Sequence, residues 1–411
     1  MNYDVLVVGG GPAGASTAFQ LARRGVRVGI VERSRFPRPK PCAECLSPQA
    51  SEILDEMGVL PALSPQGAWL KGMIVRAPNG VEARGDYVAA HGFRAYRDGG
   101  LAIRREVLDH ALLERALAAG AHLVGGARVT DVLRDAQGRV IGVLGQTRDG
   151  AAVEVKAKIV VGADGLRSVI SRRLGLAHKR RWPDRISIVA HYSGVADVTD
   201  YGEMHVERDG FVGVAPVGGD ITTVAAVFPR GRARAMGGDP GAFLTRWLQS
   251  KQQLSPRFAG AASIGVAAAV GPFASHARRA SHPGALLVGD AADFFDPFTG
   301  EGIYAALRGG IFAAEAAHAA VAAPAQERDA FVNYERQRTR SFRGKWMVER
   351  IIGGCVASPM LVNRAARALA SDKRLADLLV GVTGDFVPPS QVLRLGYLAR
   401  LFVLPTFSTP T

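Results

Sequence analysis

Hydrophobic and polar positions change period several times along the chain, and each change marks an element. Val5-Leu6-Val7-Val8 is an apolar run without alternation, the pattern of a strand covered on both faces. It runs into Gly9-Gly10-Gly11-Pro12-Ala13-Gly14. A helical stretch over 15–24 follows, closed by Gly25, and then a second strand from Val26 to Val31 that ends at Glu32. A third run, Ile159-Val160-Val161, ends in Gly162-Ala163-Asp164-Gly165 before a short helix. A fourth, Ala285 to Val288, ends in Gly289-Asp290-Ala291-Ala292, and a loop through Pro297, Gly300 and Gly302 leads into a long helix, about 302–321. Between these, 75–89 reads as a hairpin turning at Asn79-Gly80, and 185–228 alternates with the two-residue period of sheet strands. From about 326 to 403 the spacing is helical, punctuated by Gly353-Gly354 and Pro359 and broken at Pro388-Pro389. The fold class is α/β.

The first turn carries chemistry. In G-x-G-x-x-G between strand and helix, Gly9 permits the tight turn, Gly11 lets a pyrophosphate approach the backbone, and Gly14 lets helix and strand pack closely. The helix N-terminus offers N–H groups to phosphate. Glu32 stands where a carboxylate can accept from an adenosine ribose. The motif means dinucleotide binding and leaves NAD or FAD open. Asp164 and Asp290 each close a buried strand at the sheet edge where ligands of open α/β folds sit. Asp290 suits a sugar-alcohol hydroxyl. Gly300 and Gly302, before a helix N-terminus, leave room for a flat ring and favour negative charge on it.

Composition narrows the classes. The chain has 411 residues, a net charge of +14 and no basic run interleaved with aromatics, so nucleic acid is not an expected partner; an anionic substrate, cofactor or membrane surface is. Three cysteines make no disulfide framework, and a reducing cytoplasm is the default. No signal peptide is read before Tyr3, and no apolar run reaches the roughly 18 residues that span a bilayer. Cys42-Ala43-Glu44-Cys45 is a C-x-x-C that reads as a zinc half-site, a redox dithiol or neither; zinc wants four ligands and the only other cysteine is Cys355. His91, His191 and His205 lack metal-ligand spacing and read as ordinary residues, with His191 the best outsider. Residues 391–405 are strongly apolar with Arg394 and Arg400, either a helix packed on the body or a basic apolar helix touching a membrane.

The order of GxGxxG, GADG and GDAA…PFTGEG resembles the FAD-dependent oxidoreductases of the p-hydroxybenzoate hydroxylase fold, over about residues 1–330. The resemblance implies a Rossmann-type FAD-binding domain in three pieces (1–70, 100–180 and 275–330), a β-sheet substrate domain (71–99 and 181–274) and a helical C-terminal region (331–411). It implies a cofactor set of Gly9, Gly11, Pro12, Ala13, Gly14, Glu32, Arg33, Arg105, Val129, Asp164, Gly165, Asp290, Pro297, Gly300, Gly302 and Ile303. Arg105 comes from an R-x-x-L-D helix start, with Arg104 the alternative by register. Lys40-Pro41-Cys42, Leu46-Ser47-Pro48 and the segment 381–393 look most like the geranylgeranyl reductase family. Ala43, Glu44 and Cys45 depart from that family's glycine-rich centre. The Trp-x-Trp-x-Ile-Pro motif of flavin halogenases is not found; Trp182-Pro183 does not match it.

What this branch implies is reduction of isoprenoid C=C bonds by reduced flavin, with Cys42 the candidate catalytic residue as proton donor or polariser. The alternative is a monooxygenase working through a flavin hydroperoxide on an aromatic, polyketide or terpenoid substrate. A non-enzymatic flavin-binding protein is a third class. With no second GxGxxG, electrons come from NAD(P)H that visits transiently or from an external reductant, a reductase or ferredoxin partner. The expected substrate is a lipophilic small molecule, and the expected location is cytoplasmic, with peripheral membrane contact through the C-terminal helices.

Overall fold

The computed structural model describes residues 2–89, 92–179, 184–273, 275–294, 297–300 and 302–403. His91, Trp182-Pro183, Glu301 and the last two residues of 391–405 lie outside them. Strand β1 (Asn2–Val8) is central in a mainly parallel sheet, between β2 (Val28–Glu32) and the strand Ala152–Gly162. Val5 pairs with Val28 on one side and Ile159 on the other. Ala285–Leu287 extends the sheet next to Ala152–Gly162, and His122–Gly125 next to β2. All the strand-end turns singled out above therefore open at one edge of one sheet, which is where a parallel sheet presents its ligand crevice.

Helix α1 (Pro12–Ala22) starts three residues earlier than its hydrophobic spacing suggests, because Pro12 is preset for a first helical position. It packs on the long helix Gly302–Ala322 so closely that Ser16 Oγ donates to Leu307 O at 2.8 Å.

A second sheet orders the strands Ala262–Val270, Arg185–Ser193, Thr222–Pro229, Gly210–Pro216, Gly202–Glu207, Gly72–Arg76 and Glu82–Asp86. Its two faces differ. Ile188, Ala190, Tyr192, Val212, Val214, Val224, Ala226 and Phe228 pack on the helix Pro240–Gln249 through Phe243, Leu244, Trp247 and Leu248. The alternate residues look the other way, into a cavity.

The C-terminal helices are Glu327–Val356, Pro359–Ser371, Lys373–Thr383 and Leu395–Phe402. Gly353-Gly354 does not punctuate them as the composition suggests. Gly353 is buried and its carbonyl accepts from Arg185 Nη2 at 3.2 Å, so tertiary contacts carry the helix through, and it stops only before Ser358, which caps the next one.

Candidate functional site

The turn after β1 is built by close approach. A Cβ at Gly14 would sit 1.8 Å from Gly9 O, and one at Gly9, whose φ is +106°, would sit 2.5 Å from Ala163 O. Gly11 differs: a Cβ there would meet only Arg38 Nη2, at 3.8 Å. Two glycines are thus spent on packing and one leaves its backbone open to the cavity. No side chain caps α1 at Gly11, so first-turn N–H groups are available to an anion. The buried Glu32 carboxylate accepts from Gly10 N through Oε2 and from Ser34 N through Oε1, both at 2.8 Å. A carboxylate oxygen that has accepted once still has a lone pair.

At the third strand end, Asp164 Oδ2 accepts from Val169 N at 2.6 Å, while Oδ1 is buried without a hydrogen-bond partner. Burial pushes the Asp164 carboxyl above the usual range, against the Ser168 hydroxyl and the Val169 N–H. At the fourth, Asp290 Oδ2 lies 4.0 Å from Lys40 Nζ. Burial, and then the Arg105 charge, push the Lys40 ammonium down, with Asp290 and Asp109 opposing. A Cβ at Gly300 or Gly302 would meet nothing within 4 Å.

These groups share one cavity of about 750 Å³. Cys42, Gly9, Gly11, Pro12, Ala13, Glu32, Arg33, Arg105, Val129, Asp164, Gly165, Asp290, Gly300, Gly302 and Ile303 all reach its wall. Gly14 stands behind the wall. Pro297 opens the short turn Pro297–Thr299, and its side chain is outside the description. The opposite wall is the free face of the second sheet, with Ser187, Val189, Phe211, Gly213, Ala225 and Val227. The cavity therefore joins a glycine and N–H cradle, bordered by Arg33, Arg38 and Arg128, to an apolar vault. An extended group with a diphosphate at one end and a flat ring at the other suits it: the Gly11 backbone is open to the cavity, Asp164 Oδ1 is an acceptor without a partner, and Gly300 and Gly302 leave room for a ring.

Between cradle and vault lies the loop 40–46. Arg105 and Asp109 form a bidentate pair across one helical turn, at 2.7 and 2.8 Å, which gives R-x-x-L-D its physical meaning. Arg104 instead meets Glu106 at the surface, at 2.9 Å. The Arg105 guanidinium also lies near Cys42. Burial works against the Arg105 charge, but Asp109 and Cys42 offset it and hold the group above its usual range. Cys42, Cys45 and Cys355 are free thiols. Cys45 Sγ donates to Ala43 O at 3.3 Å, and burial, with Cys42 and Glu44 nearby, pushes its thiol up to about 12. Glu44 has a left-handed backbone, φ +62°, of the kind that glycine adopts freely. That conformation costs a non-glycine residue about 1 kcal/mol. Its carboxylate is buried, accepts from Arg105 N through Oε1 at 2.8 Å, and meets His191 Nε2 through Oε2 at 2.7 Å.

The matching family model is described as "FAD binding domain" and covers residues 2–342. The chain belongs to this FAD-binding family of oxidoreductases, and FAD is its cofactor. Within it, the chain belongs to the geranylgeranyl reductase family. It is 32% identical to a digeranylgeranylglycerophospholipid reductase 2 of Methanopyrus kandleri over 94% of each chain. It is 33% identical to reductase 1 of the same organism, over 78% of this chain and 82% of that one. Among solved structures it is similar to a myxobacterial chondrochloren halogenase, with a TM-score of 0.80 at 23% identity over 87% and 83% of the two chains. It is also similar to PqsL of Pseudomonas aeruginosa, with a TM-score of 0.68 at 24% identity over 94% and 100%. These two establish the fold: an FAD-binding α/β domain, a second sheet and a helical C-terminal region.

Sequence reasoning left out Arg38, whose Nη1 is 3.2 Å from Asp109, the whole vault, and the partner of His191. The two-residue period announces the vault strands but not which face is the vault, because both faces are apolar. His205, read as ordinary, is held by Glu203 at 2.8 Å. His191, read the same way, is Glu44's partner 147 residues along the chain, and no local pattern could have shown it.

Proposed function

We propose that this enzyme reduces isolated C=C bonds in the isoprenoid chains of a lipid. The observation that carries the reading is the position of Cys42, on a wall shared by the cofactor cradle and an apolar vault. FAD, once reduced, supplies the hydride. The chain's own part is to hold the alkene against the vault, exclude water there, and hold a transferable proton on Cys42 Sγ. The relatives' name, digeranylgeranylglycerophospholipid reductase, supports a prenylated glycerolipid as the substrate class. Gly9, Gly11, Pro12, Ala13, Glu32 and Arg33 take the ADP half; Arg105, Val129, Asp164, Gly165 and Asp290 take the middle; Pro297, Gly300, Gly302 and Ile303 take the ring. The division into a three-piece cofactor domain, a sheet domain and a C-terminal region belongs to the same proposal.

Among the described residues no helix is long and apolar enough to cross a membrane. We place the lipid's entry at the C-terminal helices. Met360 and Leu395, 74% and 86% exposed, ride on neighbouring helices joined by Arg364 Nε donating to Phe402 O. Exposed apolar side chains on these helices, in a protein of charge +14, suit an anionic lipid surface. NAD(P)H or a reductase or ferredoxin partner supplies the electrons.

The test is anaerobic reduction of the bound flavin, followed by mixing with a prenyl lipid or with oxygen in separate runs. Flavin reoxidation by the lipid without oxygen, yielding the saturated chain, is the expected result. An oxygenated product formed only in the oxygen run would replace this reading with a monooxygenase. Cys42→Ser should keep FAD and lose at least about a hundredfold in kcat, the general-acid range.

A further inference from the structure

Each double-bond reduction consumes a proton as well as a hydride, so a buried site that reduces repeatedly needs a route for protons. Around Cys42, two neighbours cannot provide one. Arg105 is locked on Asp109 and stays charged. The Cys45 thiol, pushed up to about 12, keeps its proton. Glu44 and His191 are different. Glu44 lies two residues from Cys42, its backbone N–H donates to Cys42 Sγ at 3.3 Å, and it is on the cavity wall. Its carboxylate is buried but bonded at 2.7 Å to a ring whose side chain is 27% exposed.

The sheet explains where that ring points. Ser187, Val189 and His191 share one face of their strand by the two-residue period, and Ser187 and Val189 line the cavity. Thr223 is paired directly with His191 on the next strand, so it stands on the same face. Its hydroxyl is buried without a hydrogen-bond partner and borders a side pocket of about 40 Å³, walled also by Ala43, Cys45 and Gly300. That pocket shares Cys45, Gly213 and Gly300 with the main cavity. It is large enough for one water, whose share of liquid volume is about 30 Å³.

We infer that Glu44 and His191 are the proton supply of this site, passing a solvent proton to the Cys42 side of the cavity past the Thr223 hydroxyl. The inference rests on the reductase reading above. As the substrate C–H bond forms, the Cys42 S–H bond breaks and leaves a thiolate beside Arg105. A proton from the Glu44–His191 pair restores the S–H bond, and the exposed edge of His191 recovers one from solvent. The pair carries no electrons; the two that saturate the double bond arrive with the hydride of reduced flavin. Among the described residues, the charged and titratable groups near the pair include Lys40, Cys42 and Cys45 from its own loop, with Arg38 just before it, and Arg105 with Asp109 from the adjoining helix. Across the sheet, Thr223 and Ile264 face His191, and neither is charged.

The experiment uses the FAD-loaded protein and three variants. Glu44→Gln keeps an acceptor for Arg105 N but cannot ionise, His191→Gln keeps a donor but cannot titrate, and His191→Ala makes room for added imidazole. Two readouts are taken across pH: kcat and KM for the prenyl lipid, and the rate of iodoacetamide alkylation of Cys42 without substrate, located by peptide mapping. We expect kcat to fall about tenfold or more in each variant, with KM within about twofold and imidazole restoring His191→Ala, a smaller loss than the roughly hundredfold or more for the group that itself transfers the proton. The alkylation profile should lose an inflection that wild type shows. Wild-type kcat with an unchanged alkylation profile in both glutamine variants would overturn the inference. If Glu44→Gln loses flavin, His191→Gln decides alone by the same criterion. Absence of alkene reduction in wild type would sink the reductase reading instead, and the alkylation profiles would then decide whether the pair and the thiol are coupled.

Discussion

The two ends of the cavity are built from different materials. At the proposed phosphate end the walls are mainly backbone, with Arg33, Arg38 and Arg128 at the border: the turn after β1, the exposed start of α1, and glycines that let strand, turn and helix close on each other. At the proposed reaction end the groups that meet are side chains from segments far apart, namely Cys42 and Glu44 from one loop, Arg105 and Asp109 from a helix, and His191 from the second sheet. A backbone site tolerates almost no change at its glycines. A side-chain site tolerates isosteric change but depends on complete pairing. The difference can be broken or sharpened by substitution, taken here in order of expected effect.

The largest effect belongs to the side-chain end. Asp109 is fully buried and carries Arg105 bidentately with Arg38 beside it, 3.2 Å away. Asp109→Ala leaves the Arg105 charge buried and unpaired, which costs about 3–5 kcal/mol. Denaturant unfolding with and without added FAD should show that loss in both states. A change under 1 kcal/mol would mean that Arg105 finds water or a new partner, and that the reaction end is less dependent on pairing than its geometry says.

Gly14→Ala comes next. With Gly9 O only 1.8 Å from the new Cβ, the turn must open, and overpacking of this kind costs about 1–3 kcal/mol. The functional effect should exceed the stability effect: purified protein without flavin absorbance. Gly11→Ala, with 3.8 Å of clearance inside the protein, should fold normally and weaken FAD only by crowding the phosphates. Equal FAD affinity in the two variants would contradict the division between packing and access glycines.

These two ends also differ in how far they were legible in the chain. The phosphate end was readable because backbone approach demands glycine at fixed spacing, so Gly9, Gly11 and Gly14 announce their geometry. The R-x-x-L-D segment was readable because its pair lies within one helical turn. The vault was not, since Val189 and Ile188 are equally apolar and only tertiary packing decides which one faces the helix Pro240–Gln249. Glu44 looked like a departure from a glycine-rich centre. Its left-handed backbone is a conformation that glycine adopts freely, and its buried carboxylate finds Arg105 N and His191, partners that no local pattern shows.

Acid should separate the sheet from the cradle. Burial opposes the Glu203 charge, but His205 and Arg257 bond it, Arg257 through both oxygens at 2.7 and 2.9 Å, and with Arg76 they bring its carboxyl from 4.5 down to about 2. A depressed folded-state value gives stability that is fully present above 4.5 and is lost as pH falls from 4.5 toward about 2. Hydrogen exchange in that window should rise in Gly202–Glu207 and around Arg257 in wild type. In Glu203→Gln, already weakened at neutral pH, the same segments should show less of that pH dependence.

The smallest effect tests whether the phosphate end is as fully a backbone construction as its glycines imply. Glu32 is a buried side chain of that end, and it serves the backbone, bonding the N–H groups of Gly10 and Ser34. Glu32→Gln keeps one acceptor and turns an amide NH₂ toward the other N–H. One charge-assisted bond is lost and one donor is left facing a donor, worth about 1.5 kcal/mol. That loss falls on the unfolding free energy; because the same carboxylate is the proposed ribose acceptor, FAD should in addition bind roughly tenfold more weakly by titration of the apoprotein. A lowered midpoint with unchanged affinity would make Glu32 a brace of the turn rather than a cofactor ligand. The cradle would then be recognised through its N–H groups alone.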